Sequence, residues 1–577
     1  MSFQQSLKQW IVDFQILSSD RSKQNASVHA LLSTVQPTVL LQQLNKSNDD
    51  DLTSVLLFVI RSTFSTSAGK ELWASSLDIL PLLVHGCHSD STDVTSACAQ
   101  LLLSSVTTQP VLSPQSAFFQ SVVNLLASVD LEVSSCASSI LLHMCTRLSE
   151  ETQQQQLVSA VANLWQNLNT TNTTAAYRCL DVLARVAHKS TAYFDLVRNT
   201  GCWTQLDEFL NSNVADVLLQ MSIFEMLEGF VEKSVAACNA IASEEVYNTL
   251  LDVAGVPEDD IQGEEEEEKE EEDPIIRNGA LRVLTAMFCA TASHATSATM
   301  LMLHKFIQTL ENVVDPVTRS SDSSSTRTTN PTTTTTTTTA SLVTVLQSMR
   351  RLTAASQSNA DLVMSSPRLT QCVIQCCLAL DDSQRALGFH AAADLIRGAA
   401  ATVNGSGSSA MALNSDSKMH VSNTATELTQ TQVVDHAEGQ RAQRAEAFYC
   451  RLGETWEQNI GIRKDTTDVL LTYVREPLPH TRYAAYDLMA AVAGAPSGWG
   501  LRTLFSKSDF VDYIFDRHTE TEKEGKEWKF AVLSATYRSA PLNVLLGPSV
   551  VERLEKFLKD GPFYAETAAP TVALGTA

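Results

Sequence analysis

One cluster of soft metal ligands stands out among the residue types in this chain that could do chemistry. His85, Cys87 and His88 lie within four residues, and imidazole and thiolate groups are ligands that Zn²⁺ prefers. A zinc site would need further ligands from elsewhere, held in a fixed geometry. The cluster alone therefore favours a buried Cys87 at a helix end, with His85 and His88 exposed beside it, over a metal site.

A second cluster is formed by Cys372, Cys376 and Cys377. Cys372 and Cys376 lie one helical turn apart and share a face. Two ligands do not make a metal site, and the apolar neighbours Val373 and Ile374 predict a core helix rather than a redox site. The twelve cysteines of the chain are too sparse for a secreted disulfide scaffold and are typical of small buried hydrophobes.

Motifs for catalysis do not accompany these clusters. The sequence has no phosphate-binding loop, no His-Glu-x-x-His, no Gly-x-Ser-x-Gly and no Cys-x-x-Cys. Gly405-x-Gly407-x-x-Ala410 matches a relaxed dinucleotide fingerprint, but it lies in a Ser-rich linker without the strand and helix that the fingerprint needs. Single histidines in helical segments show no triad pattern: His29, His143, His188, His390 and His436. We predict no enzymatic activity, no cofactor and no metal, and we assign no catalytic, cofactor-binding or metal-binding residue.

The composition describes a folded acidic protein. Hydrophobic residues make up 44% of the 577 residues and charged residues 18%, and the net charge is −24. This apolar content is enough for a large core. The negative charge disfavours nucleic acids and anionic membranes as partners. Twelve acidic residues and one lysine lie between Glu258 and Asp273, so the rest of the chain is only moderately acidic.

Targeting signals are not evident in the sequence. The first residues show no basic segment followed by an apolar stretch, and no run of about eighteen apolar residues predicts a membrane span. We predict a soluble protein of the cytoplasm, with the nucleus as a second location.

A repeat of helical segments is the strongest structural signal. Segments of the type Cys98-x-x-Leu101-Leu102 recur along the chain with apolar residues at helical spacing. Their aligned anchors are Val59, Leu102, Leu141, Leu183, Leu227 and Leu284. The spacings are 43, 39, 42, 44 and 57 residues, and the last becomes 41 without the 16-residue acidic run. This period predicts an all-α, HEAT/armadillo-like helical-repeat solenoid, with Gly201 as a helix stop.

Three low-complexity segments interrupt this pattern and predict disordered insertions, which solenoids accept because each repeat contacts only its neighbours. The predicted organisation is N-terminal helical repeats at 1–256, an acidic loop at 257–273, a helical repeat at 274–315, a Ser/Thr-rich insertion at 316–340, helical repeats at 341–401, a Ser/Thr/Gly-rich linker at 402–433, C-terminal repeats and cap at 434–564, and a disordered tail at 565–577.

The C-terminal hundred residues carry more specific patterns. Phe510-Val511-x-Tyr513-Ile514-x-Asp516-Arg517 is followed by Glu520, Lys523, Lys526 and Lys529, and Gly561-Pro562-Phe563-Tyr564 closes the region. These blocks resemble the 26S proteasome non-ATPase regulatory subunit 5 family of assembly chaperones. Over 176–231 the likeness is limited to helix pattern and loop position.

The resemblance implies a helical-repeat protein without catalytic activity. It implies binding to the C-terminal domains of one or two of the six base ATPase subunits, together with the large non-ATPase scaffold subunit of the base, and release before the mature proteasome forms. No partner-binding residue is carried over from the family. Phe510, Val511, Tyr513 and Ile514 follow helical spacing, which predicts that they mostly pack the capping repeat.

A generic armadillo/HEAT adaptor or scaffold is the alternative within the binding class, and an enzyme on a helical solenoid is the alternative from another class. Import adaptors of this shape repeat Trp and Asn on one helix, whereas the seven tryptophans here do not recur at the repeat period. Small basic groups at 350–351, 441–451 and 463–464 predict solvated faces or i,i+4 pairs. Glu522 with Lys526 and Lys523 with Glu527 have that pair spacing.

Overall fold

The structure is a computed structural model. It describes residues 3–17, 20–47, 49–74, 78–108, 117–243, 245–255, 273–319, 334–400, 427–461, 463–539 and 542–564. These residues form helices and contain no strand. The chain divides into two compact units, residues 1–247 and residues 248–577. None of the described helices is long and apolar enough to cross a membrane.

The helices of the first unit are short, and most connections between them are only a few residues long. They are α1 (Phe3–Ile16), α2 (Arg21–Thr34), α3 (Pro37–Lys46), α4 (Asp50–Ser65), α5 (Ser67–Ala74), α6 (Ile79–Gly86), α7 (Thr92–Thr108), α8 (Ala117–Asn124), α9 (Leu131–Arg147), α10 (Glu151–Leu168), α11 (Thr173–Ala187), α12 (Thr191–Arg198), α13 (Leu206–Ser212), α14 (Val217–Val231) and α15 (Val235–Ser243). Helix α16 (Val246–Ala254) contains the boundary between the units.

The second unit contains the remaining helices. They are α17 (Pro274–Thr291), α18 (Ser297–Arg319), α19 (Thr334–Ala355), α20 (Gln357–Ser365), α21 (Pro367–Cys377), α22 (Asp382–Ala400), α23 (Glu427–Ile460), α24 (Thr466–Tyr473), α25 (Pro479–Ala493), α26 (Trp499–Phe505), α27 (Ser508–Phe515), α28 (Lys523–Arg538), α29 (Leu542–Leu545) and α30 (Pro548–Asp560). A 3₁₀ turn, Arg517–Thr519, separates α27 from α28.

Capping side chains explain where many of these helices begin. Asp130, Asn172, Ser190 and Asp216 each precede a helix and accept hydrogen bonds from backbone N–H groups of its first turn. Such caps satisfy donors that have no partner inside the helix. Gly201 follows α12 with a φ of +73°, a left-handed conformation that stops the chain from continuing as a helix. The predicted stop at Gly201 is confirmed.

Each unit is built from two layers of stacked helices. In the first unit, α1, α4, α7, α9, α11 and α14 pack in succession and form one layer, while α3, α6, α8, α10 and α12 form the other. In the second unit, α17, α19, α22, α25 and α28 form one layer, and α18, α21, α23, α26 and α29 form the other. Packing of each helix on the next of its layer is the arrangement of a helical-repeat array, and the all-α repeat prediction is confirmed.

The six anchors of the sequence repeat occupy equivalent places in these layers. Five of them lie on α4, α7, α9, α11 and α14, successive helices of one layer, and Leu284 lies on α17, which starts the corresponding layer of the second unit. All six side chains are at most 1% exposed. The period of about 40 residues therefore counts successive helices of one layer.

The bounds of the predicted insertions shift where helices enter them. Helix α18 continues to Arg319 and α19 starts at Thr334, both inside 316–340, and α23 starts at Glu427, inside 402–433. A helix held by buried residues propagates beyond them at low cost, even through residues of modest helix propensity. Residues 320–333, 401–426, 256–272 and 565–577 lie outside the described part of the chain.

Asp273 is the cap of α17 rather than part of the acidic loop, because its side chain accepts a hydrogen bond from the Ile275 N–H at 2.9 Å. We expect that replacing residues 258–272 with Gly and Ser at equal length leaves the thermal unfolding midpoint unchanged, because charged residues add nothing to a core. Asp273→Ala should destabilise α17 by about 1 kcal/mol through loss of the cap. Circular dichroism melting curves test both, and a lost transition in the Gly/Ser variant would contradict the first.

Candidate partner-binding surfaces

The specific blocks of the C-terminal region mostly form its core. On α27, Phe510, Tyr513 and Ile514 are buried, and Phe510 packs edge-on against Phe505 with ring centroids 5.3 Å apart. Val511 is half-buried. The aromatic residues at the end of the region differ, since Phe563 and Tyr564 are 53% and 44% exposed. The first block thus stabilises the fold, while the last presents aromatic surface.

A buried carboxylate connects this block to helix α25. Glu520 is 3% exposed, and the Tyr486 hydroxyl donates to it at 2.7 Å. The Arg482 guanidinium Nε lies 3.4 Å from the same carboxylate oxygen. The Tyr486 and Tyr513 hydroxyl oxygens are 2.9 Å apart, and Tyr513 donates to the Val474 carbonyl at 2.8 Å. Burial raises the pKa of Tyr486 well above its ordinary value, so its hydroxyl remains a donor to Glu520.

A buried ammonium completes this polar cluster. Lys529 is 2% exposed, and its Nζ donates to the Asp516 carbonyl and the Thr519 hydroxyl. The ammonium lies 4.9 Å from the centroid of the Tyr513 ring. Burial lowers the pKa of Lys529 to about 8, although the nearby Glu520 carboxylate acts in the opposite direction. Glu520 and Lys529, which look like surface charges in the sequence, are interior groups.

Lys529 makes a pH-dependent contribution to stability. Between pH 8 and its ordinary pKa, the unfolded chain holds a proton on this side chain that the folded chain has released, so stability rises with pH in that window. The rise is about 3 kcal/mol, since one pKa unit is about 1.4 kcal/mol. We expect the unfolding free energy of the native protein, relative to that of Lys529→Met, to rise by this amount as the pH is raised from about 8 to 10.5. Denaturant titrations at several pH values measure it, and a constant difference would contradict the burial of a titrating ammonium.

Arg517 ties the two C-terminal blocks together. Its guanidinium donates to the Gly561 carbonyl at 2.7 Å and to the Phe557 carbonyl at 3.2 Å. The same group lies 3.7 Å from the centroid of the Phe557 ring and 5.3 Å from that of Tyr564. Gly561 has a φ of +81°, which favours glycine at the end of α30. The Asp-Arg and Gly-Pro-Phe-Tyr blocks are therefore two sides of one contact.

A groove on the first unit provides a second surface. It has a volume of about 520 Å³ and runs across α9, α11 and α14, successive helices of one layer. Its lining combines hydroxyl side chains such as Ser135, Ser139 and Ser222 with Leu131 and Leu218, which are 72% and 81% exposed. Exposed apolar side chains rimmed by polar residues mark a candidate surface for a protein partner.

The C-terminal region is similar to known proteins. The model of a family described as proteasome non-ATPase 26S subunit matches residues 420–576. This range contains the polar cluster around Glu520 and the contact made by Arg517.

The C-terminal region is similar to the proteasome non-ATPase 26S subunit family.

Curated relatives show a similarity in the same direction. The chain is 26% identical over 125 residues to the human 26S proteasome non-ATPase regulatory subunit 5, which covers 22% of this chain and 24% of the relative. The mouse protein of the same name is 28% identical over 122 residues, covering 21% and 23%. The aligned part thus spans about a quarter of the length of these relatives.

Solved structures were also compared with the chain. Kap121p gives a TM-score of 0.41 at 12% identity, over 96% of this chain and 56% of that chain. An engineered protein gives 0.41 at 13% identity, over 87% and 98%. Both TM-scores are below 0.5, so the fold assignment stands on the helix packing described above.

The first cysteine and histidine cluster lies at the end of α6. Cys87 is 2% exposed, and His85 and His88 are exposed. Burial raises the pKa of the Cys87 thiol, which keeps it protonated and a poor ligand. Among the described residues, no group of three or more His, Cys, Asp or Glu side chains could hold a metal ion.

The second cysteine cluster lies inside the core of the second unit. Cys372, Cys376 and Cys377 are each at most 3% exposed on α21. The pKa of the Cys372 thiol is raised mainly by its hydrogen bond with Cys376 and secondly by burial, and burial raises the pKa of the Cys377 thiol. Thiols held protonated in this way are weak nucleophiles, so the helix is structural.

One of the predicted single histidines pairs with a carboxylate. His390 Nδ1 lies 2.6 Å from Asp487 Oδ2, and Arg397 donates to the other carboxylate oxygen. Burial acts against the ionised form of Asp487, but the hydrogen bonds from His390 and Arg397 lower its pKa overall. The three side chains join α22 to α25. Of the other histidines, His29 is exposed with its Nδ1 3.4 Å from the Ser33 hydroxyl, His143 and His188 are half-buried, and the side chain of His436 lies outside the described part.

Two of the predicted basic groups make contacts over long sequence separations. Arg350 pairs with Asp394 at 2.7 Å, and Arg441 pairs with Asp361 at 2.9 Å. Lys523 and Glu527 form the predicted i,i+4 pair at 3.8 Å. The predicted Glu522–Lys526 pair is not formed among the described contacts, because the Glu522 carboxylate accepts hydrogen bonds from Arg482 at 3.0 Å and from Tyr483 instead.

Proposed function

We propose that this protein is a non-catalytic chaperone for assembly of the base of the 26S proteasome regulatory particle. The observation that carries the proposal is the family match over residues 420–576. The name shared by the curated relatives, 26S proteasome non-ATPase regulatory subunit 5, supports the same direction. Chaperoning requires wide, specific surfaces and no covalent chemistry, which suits a helical-repeat protein.

The proposed clients are the C-terminal domains of one or two of the six base ATPase subunits, held together with the large non-ATPase scaffold subunit and released before the mature proteasome forms. The groove across α9, α11 and α14 is our proposed contact for an ATPase domain. Its exposed Leu131 and Leu218 supply apolar contacts, and the surrounding serines supply polar ones. We place the protein in the cytoplasm, with the nucleus as a second location, where such precursors would assemble.

A pull-down against the isolated C-terminal domains of all six base ATPases tests this proposal. We expect selective capture of one or two domains. The double variant Leu131→Asp/Leu218→Asp should lose most of this capture, because central apolar contacts supply much of the energy of an interface. Leu380→Asp is the matched control, since Leu380 is 97% exposed and lies outside the groove. Capture of no domain by folded protein would overturn the chaperone proposal and leave a generic helical-repeat adaptor.

A further inference from the structure

A cleft on the C-terminal region has no role in the function proposed above. It has a volume of about 700 Å³ and is lined by side chains from α27, the 3₁₀ turn, α28 and α30. The lining includes Arg517, Lys526, Arg553 and Lys556, together with aromatic rings. Arg553 and Lys556 are exposed, and Lys526 is half-buried.

The carboxylates at this cleft are already engaged. Asp516 caps the 3₁₀ turn by accepting a hydrogen bond from the His518 N–H at 2.8 Å. Asp560 lies 3.8 Å from the Arg517 guanidinium. Glu522, one helical turn before Lys526, is engaged by Arg482.

Three cations are consequently left for a ligand. Within the described part of the chain, Lys526, Arg553 and Lys556 have no carboxylate within ion-pair distance. The chain as a whole has a net charge of −24, so this local positive surface is opposite in sign to the overall charge. Positive side chains gathered in a concave site attract anionic groups.

Aromatic side chains form the apolar part of the cleft. The Phe557 ring lies under the Arg517 guanidinium, and the Arg553 guanidinium lies 4.6 Å from the centroid of the Phe515 ring. Tyr564 adds an accessible aromatic surface, being 44% exposed. A ligand that fits both the cations and the rings carries carboxylates and at least one apolar side chain.

We propose that this cleft binds an acidic segment of a partner polypeptide. The carboxylates of the segment pair with Arg553, Lys556 and Lys526, and an apolar side chain packs against Tyr564 and the edge of Phe557. The inference stands on the cleft alone and does not depend on the proteasome assignment, so failure of the ATPase pull-down leaves it intact.

Helix α17, which follows the acidic run of the same chain, is separated from α30 by successive packing on α19, α22, α25 and α28. This separation in packing order favours a segment of another polypeptide over the acidic run as the occupant of the cleft.

Fluorescence anisotropy with the full-length protein tests the proposal. The probe is a labelled short peptide of Glu and Asp with one Phe, and its counterpart carries Gln and Asn instead. We expect the acidic peptide to bind, to weaken several-fold between about 50 and about 200 mM salt, and to bind about tenfold or more tightly than the neutral peptide.

Charge-reversal variants distinguish peptide binding at the cleft from binding elsewhere on the surface. Arg553→Glu/Lys556→Glu should weaken the acidic peptide about tenfold or more, while Lys70→Glu/Lys305→Glu, which makes the same charge change at exposed sites elsewhere, should leave it nearly unchanged. Both double variants should unfold at the same temperature as the native protein, because all four replaced side chains are exposed. Absence of acidic-peptide binding, equal binding of the neutral peptide, or unaltered binding by the cleft variant would overturn the proposal. Tighter binding of a single-stranded oligonucleotide would overturn the choice of a polypeptide.

Discussion

Truncation after Thr472 is expected to yield a protein that aggregates instead of unfolding cooperatively. The cut removes α25, which packs on α22 on one side and on α28 on the other. Twelve of the fifteen residues of α25 are buried, so this helix is interior rather than a surface cap. The cut also removes Tyr473, whose ring packs edge-on against the buried Phe389 of α22 with ring centroids 5.2 Å apart. Exposing one such large side chain costs about 1.5–3 kcal/mol.

The same cut also leaves polar groups of α22 without their partner. Asp487 lies on α25 and pairs with His390 and Arg397 of α22. Truncation therefore removes the carboxylate that compensates these two side chains. Light scattering and sedimentation velocity measure the outcome. Truncation after Tyr564 is the control, since it keeps every described helix, and it should remain soluble. A soluble fragment ending at Thr472 with a cooperative melt would show that the C-terminal region folds independently.

The repeat architecture could be predicted because its signal is local and recurrent. Anchors such as Leu141 and Leu183 are buried by neighbours that repeat the same pattern, so the helical period and the unit length are both visible in the sequence. The boundaries of individual helices were less accessible. Helix α19 begins within the Thr tract because a helix fixed by its buried residues extends past them.

The polar interior of the C-terminal region could not be predicted, because it depends on contacts between distant residues. Glu520 lies 34 residues from Tyr486, its hydrogen-bond donor. The Arg441–Asp361 pair spans 80 residues. Glu522 meets a partner 40 residues away instead of the lysine one helical turn along. Sequence spacing predicts only pairs on the same helix, whereas burial and partner choice follow from how layers of helices stack.

Replacing Glu520 by Gln should strongly destabilise the C-terminal region. The variant keeps the shape of the side chain but removes the negative charge beside Arg482 and Lys529, which are 12% and 2% exposed. Breaking a buried charge pair by removing one member costs about 3–5 kcal/mol. The new amide also adds N–H donors beside the guanidinium. We expect a clear fall in the thermal midpoint and faster hydrogen exchange along α28.

Glu524→Gln is the matched control, because Glu524 is exposed on α28, four residues further along the chain, and the chemical change is identical. Its effect should be near zero, since exposed charges contribute little to stability. The double variant Glu520→Gln/Lys529→Met should recover part of the loss, because it removes the ammonium that the first change leaves uncompensated. If Glu520→Gln melted like Glu524→Gln, the carboxylate would be solvated in the folded protein, and the specific C-terminal blocks would have to be explained by partner contacts rather than by a buried charge cluster.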